Sequence, residues 1–228
     1  AYTDRGLYYD RYDENKMAGM AVLEGDITDS TTITLGYQSQ DNNPTGSTWG
    51  TVPFFDSQGN FAHLPRSTNL SPKWSYWKRE SNTAFANLEQ RFGDNWLLKI
   101  NTAYTRGNVQ NVRLYGTGNP DPVTGSGIYL RAAAGDSKDT RRNVDAYLTG
   151  SFDLFGRDHD VTLGAQWSDL EGTTNTLALN FPNDWARCGG ERCYYIPNVY
   201  NWNGDISEVT YRRTGARRVA KTTQSGVY

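Results

Sequence analysis

The sequence predicts an all-β chain: an antiparallel segment of a transmembrane β-barrel, with short turns at one end and long loops at the other. Three observations predict it. Apolar residues recur with period two, while helical periodicity is nearly absent. The connections between these alternating runs are strictly by turns short and long. Ring residues bound the apolar faces at both ends, as in the aromatic girdles of outer-membrane barrels. Composition agrees: aromatics reach 13% of 228 residues with 15 Tyr and 7 Trp, although apolar residues total only 36%. No apolar run approaches the ~18 residues of a membrane helix.

Each strand follows from its own alternation. "NKMAGMAVLEGD" reads as a strand of either parity. In "TTITLGYQSQ", Ile33, Leu35 and Tyr37 oppose Thr32, Thr34 and Gln38. "TAFANLEQRF" sets Ala84, Ala86, Leu88 and Phe92 against Phe85, Asn87, Glu89 and Arg91, with Gln90 interrupting the apolar side. "WLLKINTAY" is the clearest: Trp96, Leu98, Ile100, Thr102 and Tyr104 share one face, ringed at both ends. Its nine residues match the ~9–11 of a tilted membrane strand. "NVDAYLTGSFDL" places Val144, Ala146, Leu148, Phe152 and Leu154 together, "HDVTLGAQW" does so for Val161, Leu163, Ala165 and Trp167, and "KTTQSGVY" reads as a last strand.

"GDITDS", "GDN" and "FGRDHD" are the short connections; Asp41 to Arg79, Arg106 to Arg142 and Asp169 to about Val219 are the long ones. A soluble sandwich has no reason to send every long loop to one end. A barrel with short periplasmic turns and long extracellular loops does. Phe92, Trp96 and Phe152 then belong to the periplasmic girdle, and Tyr37, Tyr104 and Trp167 to the outer one. About six to eight strands do not close a larger barrel. The start "AYTDRGLYYDRYDENK", without Met or an apolar signal core, is expected of an interior portion of a longer protein.

A net charge of -2 argues against nucleic acid as a partner. In "RCGGERCYY", Cys188 and Cys193 flank a Gly-Gly turn and read as a loop disulfide of an oxidising compartment. A metal site is the weaker alternative, because His63 and His159 lie far off in sequence and at opposite ends of the barrel. That separation also excludes a Ser-His hydrolase, so no catalytic residues and no enzyme activity are expected. "NPDPVTGSG" offers a calcium ion one carboxylate, Asp121. Glu89 beside Arg91 reads as lumen ion pairing, and the cluster Arg212, Arg213, Arg217, Arg218 and Lys221 as solvated charge, as lipopolysaccharide contact or as steering of an anionic ligand.

The runs "TWGTVP", "RSTNLSPKWSYWKRESNTAFANLEQRFGDNWLLKINTAYT" and "RRNVDAYLTGSFDLFGRDHDVTLGAQWS" resemble the barrel domain of TonB-dependent ferric siderophore receptors, of the hydroxamate (coprogen) or pyoverdine type. The likeness covers most of Tyr9 to Trp167 and the terminal strand, and fades across Glu171 to Val219. It implies a barrel of about 22 strands, so that residues 1–228 are a partial outer-membrane barrel domain whose plug and remaining strands lie outside this chain. It also implies import to the periplasm energised by the TonB complex through an N-terminal region, and a surface in contact with outer-membrane lipid or lipopolysaccharide. No cofactor is implied, since iron travels inside the siderophore. The alternative is a passive porin or a surface-binding barrel without energy coupling.

A ferric siderophore presents iron already wrapped in oxygen donors, so a receptor needs aromatic walls and hydrogen-bond donors rather than metal ligands. Candidates on the extracellular side are Trp49, Phe54 and Phe55 in the first long loop; Trp74, Tyr76 and Trp77 where it descends; and Arg113 and Tyr115 in the second. The resemblance puts Trp49 first. For Trp74, Tyr76 and Trp77 an outer girdle or loop packing is an equal alternative, and Phe54 and Phe55 are expected to pack their own loop.

Overall fold

The computed structural model describes residues 1–50 and 52–228. Its strands are β1 (Tyr2–Gly6), β2 (Asp13–Thr28), β3 (Thr31–Thr45), β4 (Tyr76–Phe92), β5 (Trp96–Thr117), β6 (Ile128–Leu154), β7 (Arg157–Asn180), β8 (Ala186–Cys188), β9 (Glu191–Ile196) and β10 (Thr210–Val227). All pair antiparallel, in the order β1-β2-β3-β4-β5-β6-β7-β10, with the β8/β9 hairpin attached to the top of β6. The sheet is open, and its edges are β1 and β10.

Register turns the sequence alternation into two faces. Continuous pairing aligns Leu35, Ala86, Thr102, Val144 and Trp167 in one row across five strands. The neighbouring row joins Tyr37, Ala84, Tyr104, Arg142 and Asp169. Leu23 opposite Leu35 and Ala21 opposite Tyr37 fix the parity of β2, with odd residues on the apolar face. Leu23, Leu35 and Leu163 remain 72%, 50% and 60% exposed, which water would penalise and hydrocarbon would not. At the short-turn end Phe92, Trp96 and Phe152 fall together, and Phe152 stacks on His159 at 5.5 Å.

The opposite face is polar and concave, enclosing a trough of about 1030 Å³ lined by Asn87, Asn101, Asn143, Asp145 and Gln166. Cross-strand polar pairs tie it: Thr83 with Thr105 at 2.9 Å, Thr149 with Thr162 at 3.0 Å, and Lys99 with Glu89 at 2.6 Å. Glu89 therefore takes Lys99 across the strands rather than Arg91 along its own. Gly36 on this face admits the ring of Phe85, where any Cβ would collide.

The long connections are shorter than the alternation predicts. Residues 106–117 and 128–142 are strand, so the second loop is only residues 118–127, and β7 and β10 likewise run well past the outer girdle. Strand β1 also lies where no alternation announces it. Above the membrane both faces meet water or protein, so the two-residue hydrophobic period lapses while the hydrogen-bond ladder continues.

The loops then build a core of their own. Leu114, Ile128 and Leu130 lie, by register, on the same face as Ile100 and Leu148, but here loop residues cover them instead of lipid. Leu70, Trp185, Ile196, Val199, Ile206 and Val209 complete the cluster. Three indoles stitch it by donating to backbone carbonyls: Trp74 to Ile206 at 3.0 Å, Trp202 to Leu70 at 2.9 Å and Trp185 to Ser207 at 3.3 Å. Arg11 joins the β1–β2 loop to the same body, donating to the carbonyls of Ser71, Trp202 and Asn69. Burial holds its guanidinium below the ordinary value, and those carbonyls supply acceptors for the buried charge.

Cys188 and Cys193 form a disulfide across the β8/β9 hairpin, with Cα atoms 5.9 Å apart. Gly189 and Gly190 both have positive φ, 59° and 92°, which a two-residue turn of this kind requires and other residues resist. The hairpin fills the place β7 vacates: β7 pairs with β6 only from Ser137 downward, and β9 takes over at Ile128–Leu130.

Candidate functional site

The inward, polar face carries a second aromatic assembly at its extracellular end. Trp77 and Arg79 on β4 share the parity of Phe85, and Arg113 and Tyr115 on β5 share that of Asn101. The register sets Trp77 opposite Asn111, one inward position from Arg113. The Arg113 guanidinium lies 4.0 Å from the centre of the Trp77 ring and 4.9 Å from that of Trp49. Arg79 covers Trp77 at 4.5 Å, and Trp49 meets Tyr115 edge-on at 5.7 Å.

Trp49 reaches this cluster because the first long loop docks on β5 rather than floating. Its backbone N–H donates to the Leu114 carbonyl at 2.9 Å, and Thr48 bridges to the same residue. Gly50 keeps the chain close to Tyr115, where a Cβ would stand 3.3 Å from that residue's own Cβ. The Trp49 ring is nonetheless 52% exposed, so a rigidly held indole faces open space.

Electrostatically the cluster is cationic. Burial and the charge of Arg79 hold the Arg113 guanidinium below its ordinary value, yet arginine stays charged. Arg113 donates Nε–H to Asn111 Oδ1 at 3.1 Å and makes no ion pair among the described residues, which leaves its terminal N–H groups for an oxygen-rich ligand. Arg131, opposite Tyr115, extends the surface. It covers Tyr129 at 5.5 Å, Tyr129 contacts Tyr195 at 6.0 Å, and Arg131 pairs with Glu191 of the disulfide hairpin.

The structure thus brings Trp49, Trp77, Arg113 and Tyr115 together and sends Trp74 and Tyr76 elsewhere. Trp74 packs in the loop core. Tyr76 shares the outward parity of Ala84, and its hydroxyl pKa is raised by burial and by a hydrogen bond with Tyr211. Phe54, Phe55 and Phe61 pack on one another, with centroids 4.9 to 5.8 Å apart, at the tip of the first loop. Arg79, Tyr129 and Arg131 join the inward surface although sequence reasoning passed over them. The signal for Arg79 was present, two residues from Trp77 on one strand; for Tyr129 and Arg131 it was hidden in a segment read as loop.

Among the described residues no group of His, Cys, Asp and Glu could hold a metal ion. Asp121 instead accepts hydrogen bonds from the backbone N–H groups of Val123 and Thr124 and from the Thr124 hydroxyl, which depress its pKa.

No protein-family model matches the chain. It is 32% identical, over all of its length, to the ferripyoverdine receptor of Pseudomonas aeruginosa, and 27% identical over 94% of its length to the ferric-pyoverdine BN7/BN8 receptor of Pseudomonas putida. Its fold superposes with a TM-score of 0.82, at 30% identity and full coverage of the chain, on the crystal structure of the P. aeruginosa outer-membrane ferripyoverdine receptor bound to ferripyoverdine. The chain spans about a quarter of the length of these relatives, 27% and 26% of the two receptors. In sequence and in fold, the chain matches a stretch of the outer-membrane barrel wall of the TonB-dependent ferric siderophore receptors.

Proposed function

We propose that this chain is part of an outer-membrane receptor that binds a ferric siderophore of the pyoverdine type and imports it to the periplasm with energy supplied through TonB. The parent would carry a plug against the polar trough and further strands beyond β1 and β10. The observation that carries the reading is the inward, extracellular cluster of Trp49, Trp77, Arg113 and Tyr115. Rings give a bulky chelate rigid contact area, and guanidinium groups grip its hydroxamate or carboxylate oxygens. A passive porin would place charge rings at a constriction instead.

Trp49→Ala in the full receptor is expected to weaken binding of the ferric siderophore tenfold or more, without reducing barrel yield. Fluorescence-quenching titration measures it, and unchanged affinity removes Trp49 from the site. Steady ion conductance of the reconstituted receptor, without quenching by ligand, would favour the pore.

A further inference from the structure

Three arginines of the inward cluster are restrained in different ways. Arg79 lies over the Trp77 ring at 4.5 Å and is otherwise exposed. Arg131 is paired with the carboxylate of Glu191. Arg113 has a ring on two sides, Trp77 at 4.0 Å and Trp49 at 4.9 Å, and is held at one edge by Asn111, whose Oδ1 accepts from Nε at 3.1 Å. Rings and edge together fix the guanidinium plane. Of the three, Arg113 is the one anchored by an uncharged acceptor.

Asn111 is itself firmly seated. It is 5% exposed, and the register sets it between Trp77 of β4 and Gly135 of β6. A Cβ on Gly135 would stand 2.5 Å from Asn111 Nδ2, and the atoms nearest to it all belong to that side chain. The backbone of Gly135 lies outside the left-handed region, so what this position requires is the room that a missing Cβ leaves for the Asn111 amide.

A carboxylate in place of the amide would take Nε–H and a terminal N–H together and cancel the charge of Arg113. The amide oxygen accepts one N–H and leaves the other four, with the charge, to a ligand. A guanidinium on a long stem loses rotamer freedom when it binds, and one fixed in the free receptor has lost that freedom beforehand. We propose that Asn111, seated by Gly135, is a positioning residue of the site: it holds Arg113 beside the two indoles without neutralising it, so that the terminal N–H groups meet a pair of ligand oxygens as a ready-made fork. This role rests on the siderophore-binding reading given above, and it belongs to residues that act through Arg113 rather than on the ligand.

The test is a double-mutant cycle on the intact receptor, read as the Kd for ferric pyoverdine from quenching of Trp fluorescence. Asn111→Ala, Asn111→Asp and Gly135→Ala are each expected to raise Kd about fivefold to tenfold, the loss of roughly one hydrogen bond. In an Arg113→Met background, Asn111→Ala and Gly135→Ala should change Kd by less than about twofold, because the group they position is gone. A merely structural role would carry the same loss into both backgrounds, and that result overturns the proposal. So does a Kd within twofold of wild type for Asn111→Ala or Asn111→Asp. If these are silent while Trp49→Ala and Arg113→Met weaken binding, the positioning role fails and the siderophore reading stands; if Trp49→Ala and Arg113→Met are silent as well, both fail. Where Asn111→Ala does not reach the membrane folded, the Gly135→Ala cycle and the isosteric Asn111→Asp decide by the same criteria.

Discussion

Arg113→Met in the full receptor removes a charge held between two indoles while keeping most of the side-chain stem. The guanidinium sits 4.0 Å from the Trp77 ring and 4.9 Å from the Trp49 ring. Each such contact contributes about 0.5–2 kcal/mol, depending on desolvation. A hydrogen bond from a charged donor to a ligand oxygen adds about 1.5–3 kcal/mol. Part of the ring contact is lost equally from the free receptor, so the ligand feels mainly the missing donor and the loosened Trp49. A net loss of about 1.5–3 kcal/mol is expected, which raises Kd roughly tenfold to a hundredfold. Quenching of Trp fluorescence by ferric pyoverdine measures it, with Arg212→Met as a control on the same face but outside the cluster. A Kd within twofold of wild type would refute the reasoning, because a guanidinium that gripped the ligand from between two indoles could not be removed silently.

Other outcomes follow from the loop body and its staple. Trp185→Ala empties a fully buried site and should destabilise the loop core by about 3–5 kcal/mol. Limited proteolysis should then nick residues 181–209 while heat resistance of the barrel is kept; an uncut loop would contradict this. Cys193→Ser opens the disulfide ring, and a chain-entropy account of so short a loop predicts a cost of about 2 kcal/mol, read as faster amide exchange in β9 and unchanged exchange in β5. For Asp121, hydrogen bonds from Thr124 and Val123 depress the pKa, so the stabilisation it supplies is present above the ordinary carboxylate value and is lost as pH falls through the lowered one. Exchange in residues 121–126 should therefore rise on acidification below about pH 4, and Asp121→Asn should remove that dependence.

The membrane-spanning part of the fold was legible because lipid enforces the alternation. Trp96 to Tyr104 and Val161 to Trp167 read as strands with the faces the structure gives them. The outer halves of β5 and β6 were not legible. Asn108 and Gln110 stand on the outward face there, so nothing in "NVQNVRLYG" declares a strand, although the ladder is unbroken. Aromatic richness announced ring-lined surfaces without sorting them. Trp96 and Trp167 mark the girdles, Trp49 and Trp77 face inward, and Trp74, Trp185 and Trp202 hold the loops together. Trp74 and Trp77 are three residues apart, and only the point at which β4 begins, Tyr76, decides that one packs and the other is presented. The bonds of Trp74 and Trp202 span 132 residues each, a separation at which local pattern carries no information.

The most direct test of ligand capture at the inward cluster is a structure of the intact receptor saturated with ferric pyoverdine. Ligand density is expected on the inward face, in van der Waals contact with Trp49 and Trp77 and within hydrogen-bond reach of the terminal N–H groups of Arg113. Density bound elsewhere in the barrel, with this cluster open to solvent and unchanged, would contradict it.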